Sequence, residues 1–394
     1  MTNKHIFMLA LLVAGGMIGA GILAMPIGAG IAGFWPSIVM MMFFSLSMFF
    51  SGAVLAKEVN EKRDDTFNFP SLYQEHFGVS GKWIASVANL IIFYGLLISY
   101  LVGASKIILS LFHINADMKS IVLFVIFMAF TSVAMLNIAI IKKYNTALMM
   151  LLWLAFLVLV YIGSSGIDAN RFAHVDLVYL PMAAPMIIAA FVFHNIIPSI
   201  CKDANYSNDI YKSIAIGLLI GFVMNTIWLT VSVGVVPEFG HISLNEARLT
   251  GVPITIEMSQ ILKSELFMVV GTLFAIIAIV TSYVSIGVSL KDFYKDILQN
   301  SLNIYNRWLL LVLSFIPPLI ISYLFVDVFL KVLNIVGGVG IVLLFGILPT
   351  IIFYKKSSSK FALFISMVFF MAFSATLIVT VLQTIGVLHL QPAK

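Results

Sequence analysis

The sequence predicts an all-α polytopic membrane protein of about eleven transmembrane helices, built as two inverted halves of five with the first helix of each half interrupted. Three observations carry that expectation. Of 394 residues, 61% are hydrophobic and 10% are charged, where a soluble protein has about 25% charged, and mean hydropathy is +1.10. Apolar runs of membrane-crossing length, about 20 residues, recur along the whole chain. Two of those runs carry helix-breaking residues at matching places.

The runs fall at about 6–33, 35–56, 83–112, 120–141, 146–163, 182–201, 210–236, 265–290, 307–325, 330–354 and 361–388. They leave no room for a soluble domain. The chain is therefore expected to be one integral membrane domain, with a first half at 1–163, a second at 182–354 and an extra helix at 361–388. The first run exceeds the ~7–15-residue core of a signal peptide and is expected to be a retained helix. Lys and Arg set the orientation. With the N-terminus in the cytoplasm, fifteen of the 22 fall in inner loops, six in outer loops, and Lys106 inside a span. That bias places the C-terminus outside.

Two loops are long enough to fold. After the second run, Phe69-Pro-Ser-Leu-Tyr-Gln-Glu-His-Phe-Gly78 reads as a short interfacial helix, with Pro at its start and Gly at its end. In the loop 237–264, Ser243-Leu-Asn-Glu246 is a capping-box pattern. Pro253 and a second amphipathic stretch follow it, so a helical hairpin over the outer mouth is expected there, with a passive connection as the second reading.

The first run holds Gly15, Gly16, Gly19 and Gly21 ahead of Pro26. Each glycine weakens a helix by roughly 1 kcal/mol relative to Ala. A break at membrane depth survives only where the freed backbone faces protein or a water-filled cavity. Gly15 and Gly19 also fit the Gly-xxx-Gly spacing of helix packing, which stays open as a second reading. The sixth run contains Phe191-Val-Phe-His-Asn-Ile-Ile-Pro198. Here His194 and Asn195 are polar groups at membrane depth, and Pro198 removes a backbone donor. An odd number of spans per half inverts one half relative to the other. Interrupted helices at corresponding positions of two such halves point to a transport site.

The chemistry of that site follows from helix ends. Gly16, Met17 and Ile18 close one half-helix and offer carbonyls to an ammonium group. Ala20, Gly21 and Ile22 restart the helix and offer N–H groups to a carboxylate, and the glycines, Gly19 among them, let a ligand approach the backbone closely. Phe191, Phe193 and Tyr94 are expected to line a flat apolar pocket, with His194 and Asn195 as its polar members. No Asp or Glu lies in mid-span, because Glu58, Asp292 and Asp327 all fall near helix ends. His194 is the first coupling candidate, since its charge changes near neutral pH; the other reading is a neutral hydrogen-bonding group between helices. Lys106 is the second, though it also reads as a snorkelling side chain. Thr281, Ser282 and Ser285 are candidates for a sodium site with the carbonyls of the broken first helix, or for bonds between helices.

Several classes are excluded. The single cysteine, Cys201, permits neither an internal disulfide nor a cysteine metal site, and no cofactor is expected. A net charge of +5 is spread over short loops, so nucleic acid is not an expected partner. Seven histidines, none with a partner at catalytic spacing, argue against an enzyme. Nothing resembles the filter loop of a channel. The expected partners are the bilayer, an amino acid, and a proton or sodium ion.

The segment Gly16-Met-Ile-Gly-Ala-Gly-Ile-Leu-Ala-Met-Pro26 resembles the first-helix signature of the amino acid/polyamine/organocation superfamily. More narrowly it resembles the bacterial aromatic (and hydroxy) amino acid permeases, which include tyrosine- and tryptophan-specific members. Phe193-His-Asn-Ile-Ile-Pro-Ser199, Thr281-Ser-Tyr-Val-Ser-Ile-Gly-Val-Ser-Leu-Lys-Asp-Phe293 and the eleven-span length fit the same family. The resemblance implies a leucine-transporter-like fold and proton-driven import of tyrosine, tryptophan or phenylalanine across the bacterial cytoplasmic membrane. Two departures touch the pocket: Tyr100-Leu-Val-Gly-Ala-Ser-Lys106 in the third span, and Asn195 where a Gly is usual. They leave open a sodium-coupled carrier of serine, threonine or small neutral amino acids.

Overall fold

A computed structural model describes residues 3–62, 68–136, 138–204, 207–298, 306–325 and 328–388, with Ala20, Ala116 and 138–146 described by backbone alone. Asp327, and Arg63 and Lys394 among the 22 Lys and Arg counted for the orientation, lie outside the described residues. Every regular element among them is a helix. The main ones are α1 (Asn3–Gly16), α2 (Ala20–Gly30), α3 (Phe34–Lys62), α4 (Phe69–Leu111), α5 (Lys119–Ala134) and α6 (Ile138–Ser164). There follow α7 (Leu180–Ala190), α8 (Ile197–Asp203), α9 (Ser207–Val235), α10 (Leu244–Thr250), α11 (Ile254–Leu262) and α12 (Glu265–Asp296). The chain closes with α13 (Arg307–Leu324), α14 (Phe329–Ile335), α15 (Leu348–Lys356) and α16 (Lys360–Thr384).

Among the described residues nine helical spans, with Leu177–Asp203 and Phe329–Lys356 each counted as one, are long and apolar enough to cross a membrane, and α1 with α2, bent by 62° at their break, makes a tenth. The expected fourth span is the shorter α5, an apolar helix of 16 residues. Its predicted boundary at 141 is corrected: the chain turns at Met135 and Leu136, and 138–141 opens α6 instead. Lys142 and Lys143 consequently belong to a helix rather than to a loop.

The local signals act where expected. A helix starts at Phe69 with Asn68 Oδ1 accepting from Ser71 N at 2.8 Å. It is interrupted at Gly78, whose φ of 70° is a left-handed conformation that glycine alone adopts without a side-chain clash. The hairpin forms as well. Ser243 Oγ accepts from Glu246 N at 3.1 Å, Gly251 closes α10 in the left-handed region, and Pro253 caps α11. The tenth span, 330–354 in the sequence, is not a regular α-helix. Between α14 and α15, residues Val336–Ile347 wind as a π-helix, a wider turn usually confined to a single bulge. Gly337 lies on its packed side. A Cβ there would stand 2.0 Å from Pro185 O, so only glycine lets the two backbones approach.

The chain divides into two compact units. One is 1–92, 173–229 and 334–394; the other is 93–172 and 230–333. The first holds spans 1 and 2 together with 6 and 7, and the second holds spans 4 and 9 together with most of span 3 and with span 8. Each unit thus mixes spans from the earlier and the later part of the chain. Within each unit, exposed side chains are largely apolar. On α6, Met150, Leu154, Leu157 and Tyr161 form a stripe at helical spacing, the surface that lipid requires of a span.

Candidate functional site

The two breaks belong to the same compact unit. α1 ends at Gly16 with a tightened turn, in which Met17 N donates to Ala14 O at 3.2 Å and Ile18 N to Gly15 O at 3.1 Å. Gly19 is extended (φ −151°, ψ −153°) and precedes α2 with no side-chain cap. The first amides of α2, including Ala20 and Gly21, therefore have no acceptor inside their own helix. On the other chain segment, α7 ends at Ala190, and Phe191 N is shared between Ile187 O and Ile188 O at 3.2 Å each. A single tight turn at His194–Ile196 leads into α8, which Pro198 starts. The breaks fall at 17–19 and 191–196, as the glycines and Pro198 predicted.

These breaks run antiparallel and face each other. A Cβ on Gly16 would touch Ile196 Cδ1, and one on Gly21 would lie 3.0 Å from Ala190 Cα and 3.2 Å from Ala189 O. The N-terminus of α2 thus meets the C-terminus of α7, while the C-terminus of α1 meets the start of α8. Each end carries about half an elementary charge. Positive and negative ends lie side by side, which is the pattern a zwitterion needs. Gly16 and Asn195 are exposed at the break, whereas Met17 and Ile18 are buried. Gly21 joins both readings of the first segment, since it lies at the interruption and is also a close packing contact.

His194 is fully buried. Its ring is sandwiched between Phe193, with centroids 4.5 Å apart, and Phe345 at 4.8 Å. His194 Nε2 lies 2.9 Å from Ser51 Oγ. Since the Ser51 hydroxyl donates to Met48 O at 3.2 Å, it accepts from Nε2–H, and this network assigns the lone pair to Nδ1. Among the described residues Nδ1 has no hydrogen-bond partner. Phe191 is buried against Phe222, centroids 6.3 Å apart. In this conformation Phe191 and Phe193 are engaged in helix packing.

Tyr94, Lys106, Thr281, Ser282 and Ser285 belong to the second unit. Tyr94 ties its helix to two others, bonding Tyr294 OH and donating to Leu313 O at 2.7 Å. Lys106 is buried and donates to Thr250 O, the last carbonyl of α10. Thr281 Oγ1 donates within its own helix, to Ile277 O at 2.8 Å. Ser282 bonds Tyr100, and Ser285 is exposed.

Three polar features escaped the sequence reading. Ser51, which holds His194, lies in a Ser-Gly step of α3, whose apolar stretch also carries Ser37, Ser45 and Ser47. Asn225 on α9 is buried, donates to Gly221 O at 2.9 Å, and keeps an unpaired Oδ1 among the described residues; Gly221 itself packs on Met17. Glu58 is buried between His76 Nε2 at 2.8 Å and Lys356 Nζ at 2.6 Å. A polar residue within an apolar run was the available signal for the first two. Glu58 gave only a helix-end charge, because both of its partners are distant in sequence. No group of three metal-binding side chains occurs among the described residues.

Interrupted helices with opposed ends are a feature of the binding sites of secondary transporters. Residues 2–389 match the tryptophan/tyrosine permease family, and the chain belongs to that family: it is an amino acid permease of the membrane and not an enzyme. It is 28% identical to the tyrosine-specific transport system 1 of Haemophilus influenzae, over 83% of this chain and 82% of that one. It is 24% identical to the same organism's tryptophan-specific transport protein, over 89% and 87%, and 24% identical to glutamine transporter 2 of Aliivibrio fischeri, over 87% and 86%. Among solved structures, MhsT in complex with L-phenylalanine matches with a TM-score of 0.66 at 13% identity, covering 95% of this chain and 97% of that one. A mutant Eremococcus coleocola manganese transporter matches at 0.57 and 13%, covering 96% and 94%. The fold is the leucine-transporter-like one that the first-helix motif implied.

Proposed function

We propose that this permease imports aromatic amino acids by proton symport with alternating access. On this reading it lies in the bacterial cytoplasmic membrane with its N-terminus inside and its C-terminus outside, and its halves are inverted repeats. The observation that carries the reading is the antiparallel apposition of the two breaks, Gly16 against Ile196 and Gly21 against Ala190. The amides of Ala20 and Gly21 bind the substrate carboxylate, and the carbonyls of Gly16, Met17 and Ile18 take its ammonium. Asn195 adds a polar contact at the rim. Phe191 and Phe193 rearrange to receive the aromatic side chain. His194 Nδ1, a buried lone pair beside the break, takes the coupled proton. The relatives named for tyrosine and tryptophan support the substrate class.

A second reading is a sodium-coupled carrier of small neutral or hydroxy amino acids, using Thr281, Ser282 and Ser285 for the ion. The packed state of Phe191 and Phe193 and the glutamine transporter among the relatives favour it. One experiment separates the two. The purified permease in proteoliposomes is offered a panel of labelled amino acids under an imposed proton or sodium gradient. Accumulation of tyrosine, tryptophan or phenylalanine driven by the proton gradient alone is the expected result. Sodium-driven accumulation of serine, threonine or another small neutral amino acid overturns it.

A further inference from the structure

The hairpin of α10 and α11 holds a carboxylate in an environment that does not suit a charge. Glu257, in the first turn of α11, is 5% exposed. Its Oε2 is sealed and has no hydrogen-bond partner among the described residues. The residues around it are closely packed: Ser232 Oγ meets Met258 Sδ at 3.6 Å, Met258 and Leu262 lie over Gly163 and Gly166, and Thr255 lies against Gly271.

The charged groups on α4, on α10 and in the segment before α7 are otherwise engaged or of the wrong sign. On α10, Glu246 acts on Glu257 as a like charge, while the Arg248 guanidinium bonds Asn245 Oδ1. Lys106 of α4 is directed to Thr250 O, and Arg171 to the carbonyls of Gly234 and Val235 at the end of α9. Lys263 and Glu265 lie at the junction of α11 and α12. A carboxyl group buried without a cation or a donor is stable in its protonated form.

We propose that Glu257 is a proton-binding site that controls how the hairpin 237–264 seats on its unit. The seated hairpin holds Glu257 as the neutral acid, and loss of the proton leaves a buried charge beside Glu246 that drives the hairpin off. Burial, and then Glu246, push the Glu257 carboxyl up from 4.5 to about 7. A group whose seated value is raised stabilises seating below its ordinary value, and that stability is lost as pH climbs. The opening equilibrium therefore rises by up to about tenfold per pH unit between about 4.5 and 7 and levels off above. The proposal is independent of which amino acid is carried.

Hydrogen–deuterium exchange of the full-length permease, followed for peptides from 237–264 between pH 5 and pH 8, tests it. After correction for intrinsic exchange, wild-type opening should increase at least tenfold between pH 5 and 7. Glu257→Gln, permanently neutral, should show no such increase, and Glu246→Gln should move the plateau to lower pH. A pH-independent wild type overturns the proposal, and so does a wild-type-like increase in Glu257→Gln. If Glu257→Gln does not fold, Glu246→Gln decides: a plateau that stays in place overturns it.

Discussion

Gly21 of α2 and Ala190 of α7 are in backbone contact, with room for a hydrogen but not for a side chain between them. A Cβ at position 21 would stand 3.0 Å from Ala190 Cα. Both partners are backbone, so neither can swing aside. Gly16 is different, because the obstacle there is Ile196 Cδ1, the far end of a flexible side chain.

Gly21→Leu should therefore abolish uptake and also lower the thermal midpoint, since overpacking of this kind costs about 1–3 kcal/mol. Gly16→Ala should retain most uptake, with Ile196 changing rotamer. Measuring labelled amino acid uptake and thermal unfolding of both variants checks the contrast. Equal losses at the two positions would mean that backbone proximity is not the deciding feature.

His194→Gln keeps a hydrogen-bonding group facing Ser51 but cannot cycle a proton. Substrate binding should persist, proton-driven accumulation should be lost, and the dependence of binding on pH between about 5 and 8 should flatten. The check is binding and accumulation measured side by side in proteoliposomes. Wild-type accumulation by this variant assigns His194 to packing between Phe193 and Phe345.

Lys106→Met removes the donor at the C-terminal end of α10 while keeping the length of the side chain. Hydrogen exchange around Thr250 should increase, because the cation both bonds that carbonyl and complements the helix dipole, an effect of about 0.3–1 kcal/mol. The pH profile of uptake should remain that of the wild type. A changed profile would return Lys106 to the coupling role considered from the sequence.

Lys356→Met leaves the Glu58 carboxylate buried with His76 as its remaining partner. Losing one partner of a buried pair costs about 3–5 kcal/mol, and the half-exposed Lys356 ammonium reduces that to roughly 1–2 kcal/mol. The thermal midpoint should fall, and Glu58→Gln in the same background should restore part of it. Absence of any fall would place Lys356 among surface charges of no structural weight.

Much of this architecture was legible because its signals act within a few residues. Glycines and Pro198 interrupt their own helices, Ser243 caps the helix that follows it, and Gly78 takes a conformation closed to other residues. Apolar runs show which segments leave water. The same local logic misplaced the junction of α5 and α6, where both sides of the turn are apolar and hydropathy cannot mark a boundary. It also missed the π-helix at Val336–Ile347, whose glycines look like ordinary small residues until Pro185 is seen against Gly337.

What the sequence by itself determined is that the chain is a bundle of membrane spans with two interrupted helices, because bilayer thickness and backbone hydrogen bonding constrain every segment on its own. Only the tertiary structure decided that the breaks lie antiparallel and in contact, that Ser51 and two aromatic rings enclose His194, and that Glu257 is buried without a cation. Those facts rest on contacts between residues far apart in the chain, where packing rather than local preference selects the partner.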